Sequence, residues 1–278
     1  MTIKEFSDYR NKQMIQSYYE GEVTDRHEEH FVNSLASNPI DLYIDIGCNR
    51  GDVADMFVGP DTDSLLFEPD LRMYNISKYR FWDDKNCKLF NNCIGKTKGR
   101  QKFYYHADDS TQGSLTYRDV GAYRWSKVRC LDAYMGLINL PTYSTIVIKI
   151  DTEGNERDVL EGMQKILALN KSIIILMEYS FKWLASKKET HDAFMLLRDN
   201  GFTSYKLTAF GLEQLPGHTA HYLDNIKYAT IVMTKNFNLQ VPEIEMASYD
   251  GWNKFRVLFK DFEITAKGQD IMKGPAMR

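Results

Sequence analysis

Short apolar runs recur along the chain and alternate with segments of helical spacing. Four runs are nearly continuous, which is typical of parallel strands covered on both faces: 42–46, 65–68, 145–150 and 173–179. Weaker patterns predict three more strands, at 88–92, 202–207 and 228–233. Apolar residues at helical spacing predict one helix behind the third run: Val159, Leu160, Met163, Ile166 and Leu167. The pattern predicts an α/β fold with a doubly wound, mostly parallel sheet.

The first run ends in a glycine-containing turn, Asp45-Ile-Gly-Cys-Asn-Arg-Gly51, and the second ends on Glu68. Such a strand, turn, helix and strand usually bind a nucleoside. Gly47 and Gly51 let a ligand approach the main chain, and Glu68 is placed to accept hydrogen bonds from both ribose hydroxyls. We therefore expect Gly47→Val to abolish cofactor binding while the protein stays folded.

The same turn indicates which nucleoside is bound. Asn49 and Asp52 replace the second and third glycines of the dinucleotide pattern G-x-G-x-x-G, and the acids Asp45 and Asp52 would repel a pyrophosphate. S-adenosylmethionine carries a sulfonium and an ammonium but no phosphate, so it suits this loop. The predicted cofactor contacts are Asp45, Gly47, Asn49, Gly51 and Glu68. An ordinary strand, turn and helix with a surface glutamate is the alternative.

Acids also follow the third and fourth runs. Asp151 and Glu153 follow the strand at 145–150, and Glu178 ends the strand at 173–179. We predict these three as the catalytic acids, because ligands bind at the carboxyl ends of parallel strands and crowded carboxylates raise one another's pKa. Asp151 with Glu178 could instead hold Mg²⁺. We interpret Glu156 as an acid that stabilises the first turn of a helix, and Lys149 as a residue that pairs with a carboxylate.

These motifs together resemble the FkbM family of S-adenosylmethionine-dependent methyltransferases. The matching residues are Asp45–Gly51, Phe67-Glu-Pro69, the pair Leu131-Asp132, and Lys149–Gly162, within about residues 41 to 180. The resemblance implies a Rossmann-like class I fold with seven strands, the last one reversed. It also implies that Ser114 lies near the cofactor or the substrate, and it favours O-methyl transfer to a sugar, a glycan or a similar polyhydroxylated metabolite.

About 50 residues separate the strand at 88–92 from the next strand of the sheet, more than one crossover helix requires. Alternation predicts strands at 101–106 and 126–131, joined by a turn-rich loop at 107–114. We interpret them as an inserted hairpin over the cofactor, with its loop near the reacting methyl group. The end of the strand at 88–92 places Asn91, Asn92 and Cys93 on the adenine side, although an ordinary polar strand end is an equal interpretation.

The domain organisation follows from these elements. Residues 1–40 form an N-terminal helical extension with a helix over 27–35, residues 41–235 the methyltransferase domain, and residues 236–278 a C-terminal extension. An aromatic stripe at helical spacing marks that extension: Trp252, Phe255, Phe259 and Phe262. Core packing is the simplest interpretation of the stripe, and a substrate lid or a homodimer contact is the alternative.

Composition excludes several other classes. A net charge of −3 gives no general field that attracts nucleic acid, so the expected partner is a small-molecule or glycan acceptor. The longest apolar run, Ile173–Met177, is far shorter than the roughly 20 residues of a membrane span. The N-terminus has no signal-peptide core, and the four cysteines lack metal spacing. We therefore expect free thiols and a cytoplasmic location.

Two other functions fit part of the pattern. A nicotinamide-dependent oxidoreductase would use the same kind of fold, although Asn49 and Asp52 argue against it. A nucleoside-binding module without catalysis is the other alternative, and the acids Asp45, Glu68 and Asp151 argue against that one.

Overall fold

A computed structural model describes residues 25–36, 38–106, 113–116, 122–180, 187–208, 211–215, 228–240 and 263–266. Its helices are α1 (Asp25–Ala36), α2 (Leu71–Arg80), α3 (Glu156–Glu161), α4 (Gln164–Leu167) and α5 (Lys187–Asp199). Short 3₁₀ helices lie at Ala54–Met56, Leu131–Leu137 and Leu140–Thr142. The central strands are β1 (Leu42–Ile46), β2 (Asp63–Phe67), β3 (Cys87–Phe90), β7 (Thr145–Ile150), β8 (Ser172–Ser180), β9 (Thr203–Thr208), β10 (Gly211–Gln214) and β11 (Tyr228–Lys235). The other strands are β4 (Cys93–Ile94), β5 (Gly99–Tyr105), β6 (Ala122–Arg129), β12 (Phe237–Gln240) and β13 (Glu263–Ala266).

The central sheet has the order β10-β9-β11-β8-β7-β1-β2-β3. The five strands from β8 to β3 are parallel, whereas β11 runs antiparallel to both of its neighbours. This confirms the doubly wound, mostly parallel sheet and its reversed last strand. The predicted count of seven strands is exceeded in the described part of the chain, because β10 extends the edge as a hairpin with β9.

Both faces of this sheet are covered, as the continuous apolar runs predict. All five residues of β1 are buried. One core layer packs the sheet against α3, α4 and α5, with Val159, Ile166 and Leu197 among its buried residues. The other layer includes Phe31, Val32 and Leu35 of α1. The N-terminal helix therefore packs against the sheet of the domain that follows it.

The predicted hairpin is present, but its strands begin earlier than predicted and belong to a larger unit. β5 pairs with β6 in antiparallel orientation, and β6 also pairs with β4 to give a three-stranded sheet. Most of the predicted loop at 107–114 lies outside the described residues. The inserted sheet packs around a small cluster of Cys93, Phe103 and Val128.

One helix prediction needs correction. The single helix predicted behind β7 is divided into α3 and α4 at Gly162. A Cβ atom at this glycine would lie 2.3 Å from the carbonyl oxygen of Gly95, so the chain needs glycine there to pack against the insertion. The helix α2 begins at Leu71, where the Asp70 side chain accepts a hydrogen bond from the backbone N–H of Arg72.

The aromatic stripe at Trp252, Phe255, Phe259 and Phe262 lies outside the described residues, so its role remains a prediction. Of the C-terminal extension, the structure describes the short sheet of β12 and β13. Within the described ranges, none of the helices has the length and apolar character needed to cross a membrane.

Candidate active site

A cavity of about 210 Å³ lies at the carboxyl ends of β1, β2, β7 and β8, beside the insertion. From β1 the chain adds strands towards β3, and from β7 it adds strands in the opposite direction, so the boundary between β1 and β7 is a topological switch point. Open α/β sheets bind their ligands at such a point. The lining residues are Ile46, Gly47, Asn49, Phe67, Glu68, Pro69, Asn92, Cys93, Ile94, Phe103, Gly113, Leu115, Asp151, Thr152, Glu153, Asn155 and Glu178.

The glycine turn is shaped mainly by packing inside the protein. Gly47 has φ +92°, and a Cβ atom there would lie 1.8 Å from the backbone oxygen of Asp151. Gly51 has φ +82°, and its Cβ atom would lie 2.6 Å from the ring of Phe81. Gly47 lines the cavity, whereas Gly51 lies outside it. Gly51 is therefore corrected from a cofactor contact to a residue that lets the turn pack on Phe81.

The expectation that Gly47→Val leaves the protein folded is wrong. The space beside Gly47 is filled by the backbone of the loop after β7, so a side chain there collides with the protein before it meets a ligand. We expect even Gly47→Ala to destabilise the fold by about 3 kcal/mol or more, which is a fall of roughly 10 °C in the unfolding temperature. Gly59→Ala is the control, because nothing lies within 4 Å of its Cβ position. Equal unfolding temperatures for the two variants would contradict this packing.

Glu68 holds the turn against the end of β2. Its Oε2 accepts a hydrogen bond from the backbone N–H of Asn49 at 2.8 Å, and its Oε1 accepts one from the N–H of Asp70 at 2.6 Å. Burial raises the pKa of Glu68 to about 8, although these two N–H donors oppose the shift. Hydroxyl groups of a ligand would favour the ionised form further and lower that pKa. Both carboxylate oxygens of Glu68 are thus held in place at the cavity wall.

Asn92 and Cys93 line the cavity, while Asn91 does not. Asn92 accepts a hydrogen bond from the Tyr134 hydroxyl at 2.8 Å and donates one to the carbonyl of Cys93. Burial raises the pKa of the Cys93 thiol to about 12, which keeps it protonated. Asn91 instead donates to the backbone oxygens of Glu68 and Pro69, so it supports the Glu68 segment from outside.

Ser114 is fully buried and lies behind the cavity wall. Its hydroxyl donates to the carbonyl of Glu153 at 2.7 Å and accepts from the N–H of Thr116. Its neighbours Gly113 and Leu115 line the cavity. Ser114 therefore joins the insertion to the loop after β7, and its position near the cofactor or the substrate stays a prediction.

The three predicted catalytic acids meet in the cavity. Asp151, Glu153 and Glu178 each offer a carboxylate oxygen, and these oxygens lie within 4.8 Å of one another. Burial and the Asp151 charge raise the pKa of Glu178 to about 10, so it carries a proton at neutral pH and hydrogen-bonds to Asp151. The three carboxylates could also ligate a divalent cation.

Asp151 remains ionised in this cluster. Burial alone would raise its pKa, but the Lys149 ammonium and the hydrogen bond with Glu178 outweigh burial and lower it. Lys149 Nζ lies 2.7 Å from Asp151 Oδ2, which confirms the predicted pairing of Lys149 with a carboxylate. The side chain of Asp151 is 33% exposed, so it faces the cavity while still held by the lysine.

Asp45 does not reach the cavity, which corrects its prediction as a cofactor contact. It is fully buried and lies beside Lys149 in the register of β1 and β7. Its Oδ2 accepts a hydrogen bond from the Tyr43 hydroxyl at 2.9 Å, whereas Oδ1 makes none. Burial raises the pKa of Asp45, and the Lys149 charge opposes that shift. Lys149 therefore lies between Asp45, which is buried in the sheet, and Asp151, which lines the cavity.

Glu156 lies in the first turn of α3, as predicted, and also organises the loop before it. Its buried carboxylate accepts hydrogen bonds from the backbone N–H groups of Thr152 and Gly154 and from the Thr152 hydroxyl. Glu153, with φ +58°, and Gly154, with φ +112°, have left-handed backbones in this loop. The hydrogen bonds of Glu156 thus hold the loop that carries Asp151 and Glu153 in position.

Several lining residues were not predicted. Phe103 lies on the buried face of β5, and the alternation of that strand was a signal for it. Asn155 belongs to the motif after β7, and its side chain donates to the carbonyl of Ile94 at 2.8 Å. Leu115 had no signal in the sequence, because its place depends on the pairing of Ser114 with Tyr104.

The raised pKa values predict that the protein loses stability as the pH rises. The pKa of Glu178 is that of an ordinary glutamate, 4.5, in the unfolded chain, and burial beside Asp151 raises it to about 10 in the folded protein. The stability linked to its proton is complete below about pH 4.5 and is lost as the pH rises towards 10. We expect the unfolding temperature to fall by a few degrees between pH 6 and 9, and the fall to be smaller in Glu178→Gln, which mimics the protonated side chain.

The matched control for that experiment is Glu161→Gln on α3, a glutamate that pairs with Arg157 away from the cavity. It should follow the wild-type pH dependence. A Glu178→Gln variant with the same pH dependence as wild type would show that Glu178 is ionised at neutral pH.

Comparison with known proteins gives the family. The model of the methyltransferase FkbM domain matches residues 33–204, more than half of the chain. A search of curated proteins found no match. Similar solved structures include an rRNA methylase from Streptococcus thermophilus, at 13% identity and TM-score 0.42, over 77% of this chain and 97% of that one. Fibrillarin from Aeropyrum pernix with bound S-adenosyl-L-methionine has 8% identity and TM-score 0.42, over 73% of each chain. N-methyltransferase NodS from Bradyrhizobium japonicum has 10% identity and TM-score 0.38, over 76% and 94%. By the extent of the domain match, the chain belongs to the FkbM family of S-adenosylmethionine-dependent methyltransferases.

Proposed function

We propose that this methyltransferase acts on a hydroxyl group of a sugar, a glycan or a similar polyhydroxylated metabolite. The observation that carries the proposal is the cluster of Asp151, Glu153 and Glu178 in the cavity. Neighbouring carboxylates can accept hydrogen bonds from several hydroxyl groups at once, and an ionised one can accept the proton of the hydroxyl that reacts. O-methyl transfer needs such a proton acceptor, because the hydroxyl group loses its proton when its oxygen takes the methyl group.

The charge of the cavity fits S-adenosylmethionine. Among the described residues that line it, four are acids and none is a lysine or an arginine. Such a lining has no cation that would repel the sulfonium and ammonium groups of this cofactor, and none that would pair with the pyrophosphate of a nicotinamide dinucleotide. The bound cofactor supplies an electrophilic methyl group. Glu68 would hold its ribose, and Asn49, Asn92 and Cys93 complete that side of the cavity.

The residues of the chain then have distinct tasks. Asp151 is ionised and faces the cavity, so it accepts the proton of the acceptor hydroxyl. The protonated Glu178 donates a hydrogen bond to Asp151, and Lys149 forms an ion pair with Asp151. Together these two contacts fix the orientation of the Asp151 carboxylate. Fixed orientation is a large part of such catalysis, since well-placed groups can supply roughly 7–11 kcal/mol of a barrier.

A divalent cation is the second arrangement that this donor set favours. Asp151 and Glu178, with Glu153, offer the hard oxygen ligands that Mg²⁺ prefers, and the cation would replace the proton of Glu178. It would then hold two neighbouring hydroxyls of the acceptor. Turnover that is lost in chelator and restored by Mg²⁺ would favour this arrangement, whereas turnover unchanged by chelator would favour proton transfer to Asp151.

The proposal is tested with cofactor that carries a deuterated methyl group and a panel of sugars, glycans and polyols. Mass spectrometry should find the label on an oxygen of at least one polyhydroxylated acceptor. The panel includes amine and nucleobase acceptors as controls. Labelling of nitrogen or carbon atoms alone would contradict O-methyl transfer, and no labelling of any sugar or polyol would contradict the acceptor class.

A further inference from the structure

The inserted sheet differs in charge from the rest of the chain. The strands β5 (Gly99–Tyr105) and β6 (Ala122–Arg129) contain no acid, although the whole chain has a net charge of −3. They carry five cations: Arg100, Lys102, Arg124, Lys127 and Arg129. Since interspersed charges of both signs are usual on a protein surface, this unit is locally basic.

One face of this sheet combines cations with exposed aromatic rings. The register places Tyr104 opposite Tyr123, Lys102 opposite Trp125, and Arg100 opposite Lys127. Residues directly opposite each other share a face, so these six form one surface, which we call the outer face. Tyr123 is 51% exposed and Trp125 56% exposed. Lys102 Nζ lies 4.2 Å from the centre of the Tyr123 ring.

The outer face ends next to the cavity. Phe103, on the opposite side of β5, lines the cavity, so the sheet is part of its wall. At the end of β5, Tyr104 exchanges two backbone hydrogen bonds with Ser114, at 2.8 and 2.9 Å. Gly113 and Leu115, on either side of Ser114, line the cavity. The Tyr104 end of the outer face is therefore joined by backbone hydrogen bonds to the segment that lines the cavity.

We propose that the outer face binds an acidic glycan, and that this glycan carries the hydroxyl that is methylated. Trp125 and Tyr123 offer flat surfaces to the C–H faces of sugar rings, and Lys102, Arg100 and Lys127 pair with the carboxylates of the same chain. The inference rests on the proposed function and deepens it, because it states which glycans the enzyme takes.

The charges favour a glycan over a single-stranded nucleic acid. The cavity is lined by acids, so the unit that enters it must be free of negative charge. A glycan can carry carboxylates on some units and present a neutral unit with free hydroxyls to the cavity. A nucleic acid carries a phosphate on every unit and would bring one beside the ionised Asp151.

The test uses the full chain on an array of glycans that contain uronic acids, sialic acids or only neutral sugars, with oligouridylate as the nucleic-acid probe. We expect binding to acidic glycans that weakens as salt rises. Affinity for the best glycan, measured by calorimetry, should fall at least tenfold in Trp125→Ala and also fall in Lys102→Gln. The matched controls are Trp82→Ala and Lys85→Gln, which change exposed residues elsewhere on the surface and should keep wild-type affinity.

Binding to neutral glycans alone, to oligouridylate in preference to glycans, or to no probe would overturn the inference. So would an equal loss of affinity in the control variants. Calorimetry with S-adenosylmethionine separates this outcome from failure of the proposed function. If the outer-face variants bind the cofactor and methylate a hydroxyl as well as wild type does, the inference fails and the proposed function stands. If the wild-type protein does not bind the cofactor, the proposed function itself fails.

Discussion

Asp151→Asn is expected to lower turnover at least about 100-fold, the low end for a lost base or metal ligand. Asparagine keeps the size of the side chain but has no charge with which to accept a proton or hold a cation. Cofactor binding should stay within a few-fold of wild type, because the substitution leaves Glu68 and its hydrogen bonds to Asn49 and Asp70 unchanged. Single-turnover kinetics with a confirmed acceptor measures the first effect, and calorimetry measures the second.

Asp158→Asn is the matched control for that variant. Asp158 lies on α3, pairs with Lys96 at the surface, and does not line the cavity. It should turn over at the wild-type rate. A folded Asp151→Asn protein with near wild-type turnover would remove Asp151 from the chemistry, both as a base and as a metal ligand.

Glu68→Ala is expected to weaken cofactor binding by about 1.5–3 kcal/mol, the scale of losing hydrogen bonds to a charged group. Part of the effect arises because the N–H groups of Asn49 and Asp70 lose their acceptor, which frees the turn. Calorimetry with S-adenosylmethionine measures the affinity, and thermal unfolding shows how far the turn is destabilised.

Asp52→Ala removes an acid from the same turn without touching the cavity. Asp52 is 54% exposed and forms surface ion pairs with Arg50 and Arg80, so its loss should leave cofactor affinity unchanged. Wild-type affinity in a folded Glu68→Ala protein would show that Glu68 does not bind the cofactor.

Strand positions could be predicted where burial alone decides them. The bounds predicted for β1 agree with the structure because all five of its residues are buried, so the apolar run has the same length as the strand. β2 begins two residues earlier than predicted, at Asp63 and Ser64, which pair with Leu42 and Tyr43. Asp63 accepts a hydrogen bond from the Tyr143 hydroxyl. Polar residues of this kind join a strand because of partners distant in sequence.

The acids of the site could be predicted because strand ends collect at one edge of a parallel sheet. Their separate tasks depend on contacts that the sequence does not show. Asp45 stands in the same motif as Gly47, yet the register places it beside Lys149 and behind the cavity. Gly47 was correctly expected to need glycine, but the neighbour that requires it is the backbone of Asp151. Both facts depend on how β1 and β7 pack together.

A crystal structure of the complex with S-adenosylhomocysteine would show whether the cofactor binds in this cavity. The ligand should occupy the cavity at the ends of β1, β2, β7 and β8, with both ribose hydroxyls within hydrogen-bond distance of Glu68. Its sulfur should point towards the cluster of Asp151, Glu153 and Glu178. A ligand bound elsewhere, or one whose ribose lies away from Glu68 and whose sulfur points away from these acids, would show that the cavity is not the cofactor site.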